Sequence, residues 1–177
     1  VGAGMIASGV HAAVRLLAGK ADDLADLAGH INRYLSGATA DNRFATFGMV
    51  KIDVEGGLRA VNAGHLPLLI RRTDGTVEQI NSSGLPLGIL EAATYAESAA
   101  VLGPGDFVVL FTDGLTEAED EDDEEFGVER VTAVVASLVD PTAEGLCDAI
   151  LEAVDAFTDG APLQDDATLL VVERLKV

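Results

Sequence analysis

Two segments at the start of the chain carry apolar residues at helical spacing. Residues 5–18 are small and apolar almost throughout, which predicts a buried helix. Residues 21–35 predict a second helix, with Asp22 as a candidate N-cap and Gly37 just beyond its end. Its apolar positions recur three and four residues apart, at Leu24, Leu27, Ile31 and Leu35.

The centre of the chain changes to a strand pattern. Runs of β-favouring residues at 45–54 and 57–62 are joined by a Glu-Gly-Gly turn, which predicts a hairpin. A second hairpin is predicted by the runs at 66–72 and 77–81, because a Thr-Asp-Gly-Thr turn separates them. Residues 94–101 alternate weakly between apolar and polar positions and predict a further strand.

The last third of the chain combines strands with helices. Residues 106–111 form a continuous apolar strand pattern, 128–138 and 142–157 predict helices, and 168–175 predict a final strand. Successive hairpins favour antiparallel sheets, and helices grouped in blocks favour an α+β layered fold. We expect a single domain over residues 1–177.

Charge narrows the range of partners. The 177 residues include 30 acidic and 11 basic side chains, for a formal net charge of −19. Such a field disfavours nucleic acid and anionic lipid as partners. The first apolar segment is shorter than the roughly 20 residues of a membrane span, so this segment predicts no membrane association. Cys147 is the only cysteine, which excludes an intrachain disulfide and suits a reducing cytoplasm.

Asp113 is the first candidate functional residue. It follows the apolar run 106–111 after one intervening Thr, and a carboxylate at a buried strand end is costly unless a partner such as a cation compensates it. Gly114 lets the backbone approach closely, which leaves its carbonyl free to face an ion. The alternative is a turn aspartate that bonds its own backbone, since Asp-Gly is a common turn sequence.

Asp165 and Asp166 are the second candidates. They border the apolar strand pattern at 168–175, and successive residues of an extended chain point to opposite faces. We therefore expect one of them to bind metal and the other to cap the backbone or to support the first. The alternative is a solvated loop before a strand.

Together, these carboxylates predict a site for hard divalent cations. Neither His nor Cys accompanies them, which favours Mg²⁺ or Mn²⁺ over Zn²⁺. No nucleophilic Ser or Cys lies nearby, so the pattern indicates water activated by metal, as in phosphohydrolases. We predict no catalytic residue beyond the metal ligands, and the sequence does not identify substrate-binding residues.

Two further features give weaker signals. The acidic residues of 117–125 lack the spacing of an EF-hand calcium loop and predict a mobile, solvated loop beside the site. His65 follows a glycine, and a lone histidine there is more typical of a structural or turn residue than of a catalytic one.

Four segments in order carry a family resemblance. They are residues 61–67 (Val-Asn-Ala-Gly-His-Leu-Pro), 84–88 (Gly-Leu-Pro-Leu-Gly), 111–118 (Phe-Thr-Asp-Gly-Leu-Thr-Glu-Ala) and 165–172 (Asp-Asp-Ala-Thr-Leu-Leu-Val-Val). Their order and spacing resemble the bacterial phosphatases related to stage II sporulation protein E (SpoIIE), a branch of the metal-dependent protein phosphatase 2C (PPM) superfamily.

The resemblance implies a fold, a reaction and ligands. The implied fold is a β-sandwich of two antiparallel sheets flanked by helices. The implied reaction is hydrolysis of phosphoserine or phosphothreonine on a regulatory protein, typically an anti-anti-sigma factor, with two Mn²⁺ or Mg²⁺ ions. Asp113 matches the metal-binding Asp of the family's Asp-Gly pair, Asp165 matches its later metal-binding Asp, and Asp166 is adjacent.

One family motif has no counterpart in this chain. The family carries Gly-Asp-(apolar)-x-Gly-x-Gly before its first long helix, and the Asp of that motif bridges both metals. Residues 1–5 resemble the sequence that follows the motif. We therefore expect a truncated chain without the first strands and the bridging Asp, inactive by itself and with open sheet edges that favour a homodimer.

Two classes of function remain open. The first is a phosphatase domain that is active in its parent protein. The second is a non-catalytic, partner-binding domain, a pseudophosphatase. Metal-dependent turnover in the parent protein would separate them.

Overall fold

Residues 2–21, 23–38 and 44–176 are described by a computed structural model. The chain divides into two units, and each takes two separate stretches of sequence. The first unit comprises Val1–His65 and Asn81–Val101, and the second comprises Leu66–Ile80 and Leu102–Val177.

The elements follow the predicted order of helices, hairpins and closing helices. In chain order they are α1 (Gly2–Leu17), α2 (Leu24–Ala38), β1 (Phe47–Ile52), β2 (Gly57–Ala63), β3 (Leu68–Arg71), β4 (Val77–Ile80), β5 (Glu97–Val101), β6 (Phe107–Phe111), α3 (Asp113–Thr116), α4 (Gly127–Ser137), α5 (Ala143–Phe157) and β7 (Leu169–Glu173).

The first unit contains an antiparallel sheet in the order β1-β2-β5. The predicted hairpin between β1 and β2 is present, with Val50 opposite Ala60. Asp53 closes its turn, because its Oδ1 accepts hydrogen bonds from the backbone N–H of Glu55 (2.9 Å) and of Gly57 (2.8 Å).

Helix α2 packs its apolar stripe against this sheet. The predicted residues at helical spacing are buried and share a core with β2: Leu24, Leu27, Ile31, Leu35, Val61 and Ala63. Asp22, the candidate N-cap, lies outside the described residues. Asp23 caps the helix, since its Oδ1 accepts a hydrogen bond from Asp26 N at 2.7 Å. The sequence predicted this capping role for Asp22, one residue earlier.

The second unit contains an antiparallel sheet in the order β4-β3-β6-β7. Strand β6 is central, as its continuous apolar sequence predicted: Val108 lies opposite Ile70 of β3 and Val172 of β7. Helices α4 and α5 supply most of the remaining core, through Val131, Val135, Leu146, Ile150 and Val154. The chain thus has the predicted mixed α+β composition, with two antiparallel sheets and helices.

The described helices were compared with the length and hydropathy that a membrane-spanning helix requires. Over residues 2–21, 23–38 and 44–176, none combines the length and apolar character of a membrane-spanning segment.

Candidate metal site

Asp113 begins a single helical turn at the end of β6. The strand ends at Phe111, Thr112 is extended, and α3 follows over Asp113–Thr116. The side chain of Asp113 is exposed, whereas Gly114 and the next two residues are buried. The expectation of a buried carboxylate that needs compensation was therefore wrong, because the short helix turns Asp113 toward solvent.

Among the described residues, the hydrogen-bond partners of Asp113 are all local. Its Oδ1 accepts from Gly114 N at 3.1 Å, which is the backbone bond expected of a turn aspartate. Its main-chain carbonyl accepts from Glu117 N (2.8 Å) and from the Thr116 hydroxyl (3.3 Å). Across the described part of the chain, no Lys, Arg or His forms an ion pair with Asp113.

Asp165 and Asp166 lie in a bend before β7, and both are exposed. Asp165 Oδ1 accepts from Asp166 N at 2.7 Å. The two residues lie outside β7, which begins only at Leu169. The prediction that their side chains point to opposite faces of a strand was therefore wrong. As at Asp113, no cationic side chain in residues 2–21, 23–38 or 44–176 pairs with either carboxylate.

The two acidic segments lie side by side. A Cβ atom at position 114 would come within 2.6 Å of the Asp166 carbonyl oxygen, so only glycine permits this approach. Thr112 joins the segments by main-chain and side-chain hydrogen bonds: its N–H donates to Thr168 O at 3.0 Å, and its hydroxyl accepts from Thr168 N at 2.8 Å. The four predicted positions, Asp113, Gly114, Asp165 and Asp166, therefore belong to one region of the second unit.

The acidic stretch after α3 is a defined turn. Glu119 and Glu125 form an isolated antiparallel bridge, and Asp120 Oδ1 accepts from Asp122 N and Glu124 N, both at 3.0 Å. Glu119 also accepts a hydrogen bond from Gln164 Nε2, which links the turn to the segment before Asp165. The predicted placement beside the candidate site is confirmed by this contact, while the mobility predicted for the loop stays a prediction.

His65 belongs to the first unit and has a local structural environment. Its N–H donates to the side chain of the buried Asn62 at 2.9 Å. Its ring lies close to Gly48, where an added Cβ would be 2.9 Å from His65 Cδ2. These contacts agree with the interpretation of His65 as a structural residue.

The carboxylate oxygens of the candidate site are the type of ligand that hard cations prefer. The described residues supply too few of them to complete a metal site. Exposed carboxylates without cationic partners are suitable ligands for Mg²⁺ or Mn²⁺. Among the described residues, no group of three or more His, Cys, Asp or Glu side chains is arranged to hold a metal ion. Asp113 and the Asp165–Asp166 pair could therefore hold an ion only with ligands from water, substrate or other residues.

Sequence reasoning missed Thr112 and Gln164, which make the contacts between segments. Thr112 gave no signal for these contacts, because its partners Asp166 and Thr168 are more than 50 residues away in sequence. Gln164 gave no signal, because its partner Glu119 is 45 residues away in sequence.

Comparisons with known proteins agree with this architecture. Protein IcfG of Synechocystis is 30% identical over 133 residues, covering 74% of this chain and 21% of the relative. Phosphoserine phosphatase RsbU of Bacillus subtilis is 30% identical over 117 residues, covering 64% of this chain and 33% of the relative. The chain thus spans a third or less of the length of these curated relatives.

Solved structures of other proteins share the fold of this chain. The phosphatase domain of the cell fate determinant SpoIIE from Bacillus subtilis, in a manganese-presoaked crystal, matches with a TM-score of 0.68 at 24% identity. The match covers 93% of this chain and 72% of that structure. The family model for stage II sporulation protein E matches residues 1–175. With a family match over nearly its whole length, this chain belongs to the stage II sporulation protein E (SpoIIE) family.

Proposed function

We propose that this chain contributes a metal-binding part of a protein serine/threonine phosphatase centre. Asp113 and Asp165 would ligate divalent cations, with Asp166 and the Gly114 carbonyl next to them. The observation that carries the proposal is the close contact between Gly114 and the main chain of Asp166. It brings together two segments whose carboxylates pair with no described cation.

The carboxylates of Asp113 and Asp165 are both oriented by neighbouring backbone N–H groups. Asp113 Oδ1 is oriented by the Gly114 N–H, while its other oxygen has no described partner and is available to an ion. Asp165 is oriented in the same way by the Asp166 N–H. Two Mn²⁺ or Mg²⁺ ions, when bound, would supply an activated water and neutralise charge on the phosphoryl group.

The family supports a proposal for the substrate class. RsbU carries the name phosphoserine phosphatase, and this chain is 30% identical to it over 117 residues. We infer that the substrate is a phosphoserine or phosphothreonine on a regulatory protein of the anti-anti-sigma type. The net charge of −19 favours a substrate with basic groups near the phosphorylated residue.

The chain taken alone is expected to bind metal weakly. The described residues form no cluster of three or more ligands, whereas a two-metal centre needs groups that contact both ions. We therefore propose that turnover requires ligands beyond those described, such as a bridging Asp in the complete protein.

A non-catalytic partner-binding role is the second candidate. The same lack of a three-ligand cluster favours it. It predicts that the complete protein binds its partner without metal and hydrolyses no phosphate ester.

The test is hydrolysis of p-nitrophenyl phosphate by the complete protein, with and without Mn²⁺. We expect Mn²⁺-dependent turnover that Asp113→Asn lowers by about a hundredfold or more, because it removes an anionic ligand. Asp148→Asn is the matched control, since Asp148 is exposed on α5 and has no role in the site. Unchanged turnover in Asp113→Asn would refute the metal assignment, and no turnover in the unmodified protein would favour the non-catalytic role.

A further inference from the structure

Thr112 and Thr142 occupy equivalent positions but use their hydroxyls differently. Both are N-cap residues, with φ −97° and ψ 166° at Thr112 and φ −97° and ψ 165° at Thr142. The Thr142 hydroxyl accepts from Gly145 N at 3.0 Å, which is the usual N-cap bond. Thr112 makes no side-chain cap bond to α3.

The Thr112 hydroxyl instead bonds across to the segment before β7. It accepts from Thr168 N at 2.8 Å and donates to Asp166 O at 3.3 Å. The hydroxyl therefore donates its only hydrogen, and accepts one hydrogen bond, to and from residues more than 50 positions away in sequence. The two residues thus share a backbone conformation but differ in the partners of their hydroxyls.

These bonds join the two proposed ligand segments directly. Thr112 directly precedes Asp113, and its hydroxyl holds the carbonyl of Asp166. The main-chain bond from Thr112 N to Thr168 O, at 3.0 Å, runs beside them. A shift of the hydroxyl would change the spacing between Asp113 and the Asp165–Asp166 pair.

We propose that Thr112 is a positioning residue, whose hydroxyl sets the distance between Asp113 and the Asp165–Asp166 segment for cation binding. This inference rests on the proposed function, because it assumes that these carboxylates hold the ion. Thr112 itself ligates nothing and touches no substrate. Its effect on the ion would be indirect, as for hydrogen bonds that orient metal ligands in other proteins.

The test compares Thr112→Val, Thr112→Ser and Thr142→Val in the complete protein, because the chain taken alone is expected to bind metal weakly. Free Mn²⁺ is measured by electron paramagnetic resonance during titration, which detects weak binding, and thermal unfolding is followed in parallel. Hydrogen exchange of the Thr168 amide reports directly on its bond to the Thr112 hydroxyl. Thr142→Val is the matched control, because it removes the hydroxyl of an N-cap residue with the same backbone conformation in the same unit.

We expect Thr112→Val to lower the Mn²⁺ affinity by about tenfold or more and to speed exchange of the Thr168 amide. Thr112→Ser should restore both, and Thr142→Val should lower the unfolding temperature without changing the affinity. If Thr112→Val bound Mn²⁺ as tightly as the unmodified chain, the positioning role would be wrong while the metal site stood. If the unmodified complete protein bound Mn²⁺ no better than its Asp113→Asn variant, both the proposed site and the role of Thr112 would be refuted.

Discussion

At the residue scale, the contact between Gly114 and the Asp166 carbonyl leaves no room for a side chain. The distance of 2.6 Å from a Cβ to a backbone oxygen cannot be relieved by a change of rotamer. The glycine of the Asp-Gly pair is thus explained by the approach of a second acidic segment, in addition to any role of its carbonyl.

Gly114→Ala tests this steric explanation. We expect it to lower the free energy of unfolding by about 1–3 kcal/mol, because the segment at Asp166 must move away. The control is Gly37→Ala, because Gly37 lies inside α2 and not beyond its end as the sequence predicted. No atom of the described residues lies within 4 Å of the added Cβ, so this change should leave stability unchanged or slightly raised. Urea unfolding measures both. Equal stability of Gly114→Ala and the unmodified chain would mean that the close approach is not required.

The identity of the site residues stays a prediction, whereas the structural setting predicted for them was wrong. Asp113, Asp165 and Asp166 were identified as candidates, yet the reasons given for them, a buried strand end and a strand of alternating faces, did not hold in the structure. A one-turn helix of four residues has no periodic signal, so α3 could not be predicted. The contacts of Thr112 were unpredictable because they depend on strand register between distant segments.

At the scale of elements, the long periodic segments could be predicted from the sequence, whereas the residues that cap the helices were harder to predict. The hairpins and helices matched in position because apolar spacing and turn residues are local signals. The burial predicted for the first helix was wrong: α1 is largely exposed, and Met5 and Leu16 are among its exposed apolar residues. Helix α4 shows the limit. It carries no basic residue in its last turn, and its terminal carbonyls are bonded by Arg71 of β3, which is more than 60 residues earlier.

Arg71 therefore stabilises the end of α4 from the neighbouring strand. Its Nε donates to Val135 O at 2.8 Å and its Nη2 donates to Leu138 O, while the residue is only 2% exposed. We expect Arg71→Lys to lower the free energy of unfolding by about 2–3 kcal/mol, since an ammonium cannot bond both carbonyls in this geometry. Thermal or urea unfolding measures the loss.

A matched surface substitution is the control for Arg71→Lys. Arg59 has a side chain 63% exposed and pairs with Glu97 at 2.7 Å, so Arg59→Lys should cost less than about 1 kcal/mol. If the two substitutions had equal effects, the capping role of Arg71 would be contradicted.

At the scale of the whole molecule, the net charge complicates any claim about metal. A chain with 30 acidic and 11 basic residues attracts cations over much of its surface. The acidic turn at 117–125 lies beside the candidate site and adds to this background. Binding of Mn²⁺ alone is therefore weaker support than binding at a defined place.

The most direct measurement is the amide NMR spectrum of the chain during titration with Mn²⁺, at constant ionic strength. A paramagnetic ion broadens the signals of nearby amides, so the pattern of broadening locates it. We predict that Gly114 and Asp166 broaden first, and that Asp113→Asn removes this effect while Asp148→Asn leaves it intact. Broadening confined to 117–125, or spread evenly over the acidic surface and unchanged in Asp113→Asn, would contradict the proposal that these carboxylates form a cation site.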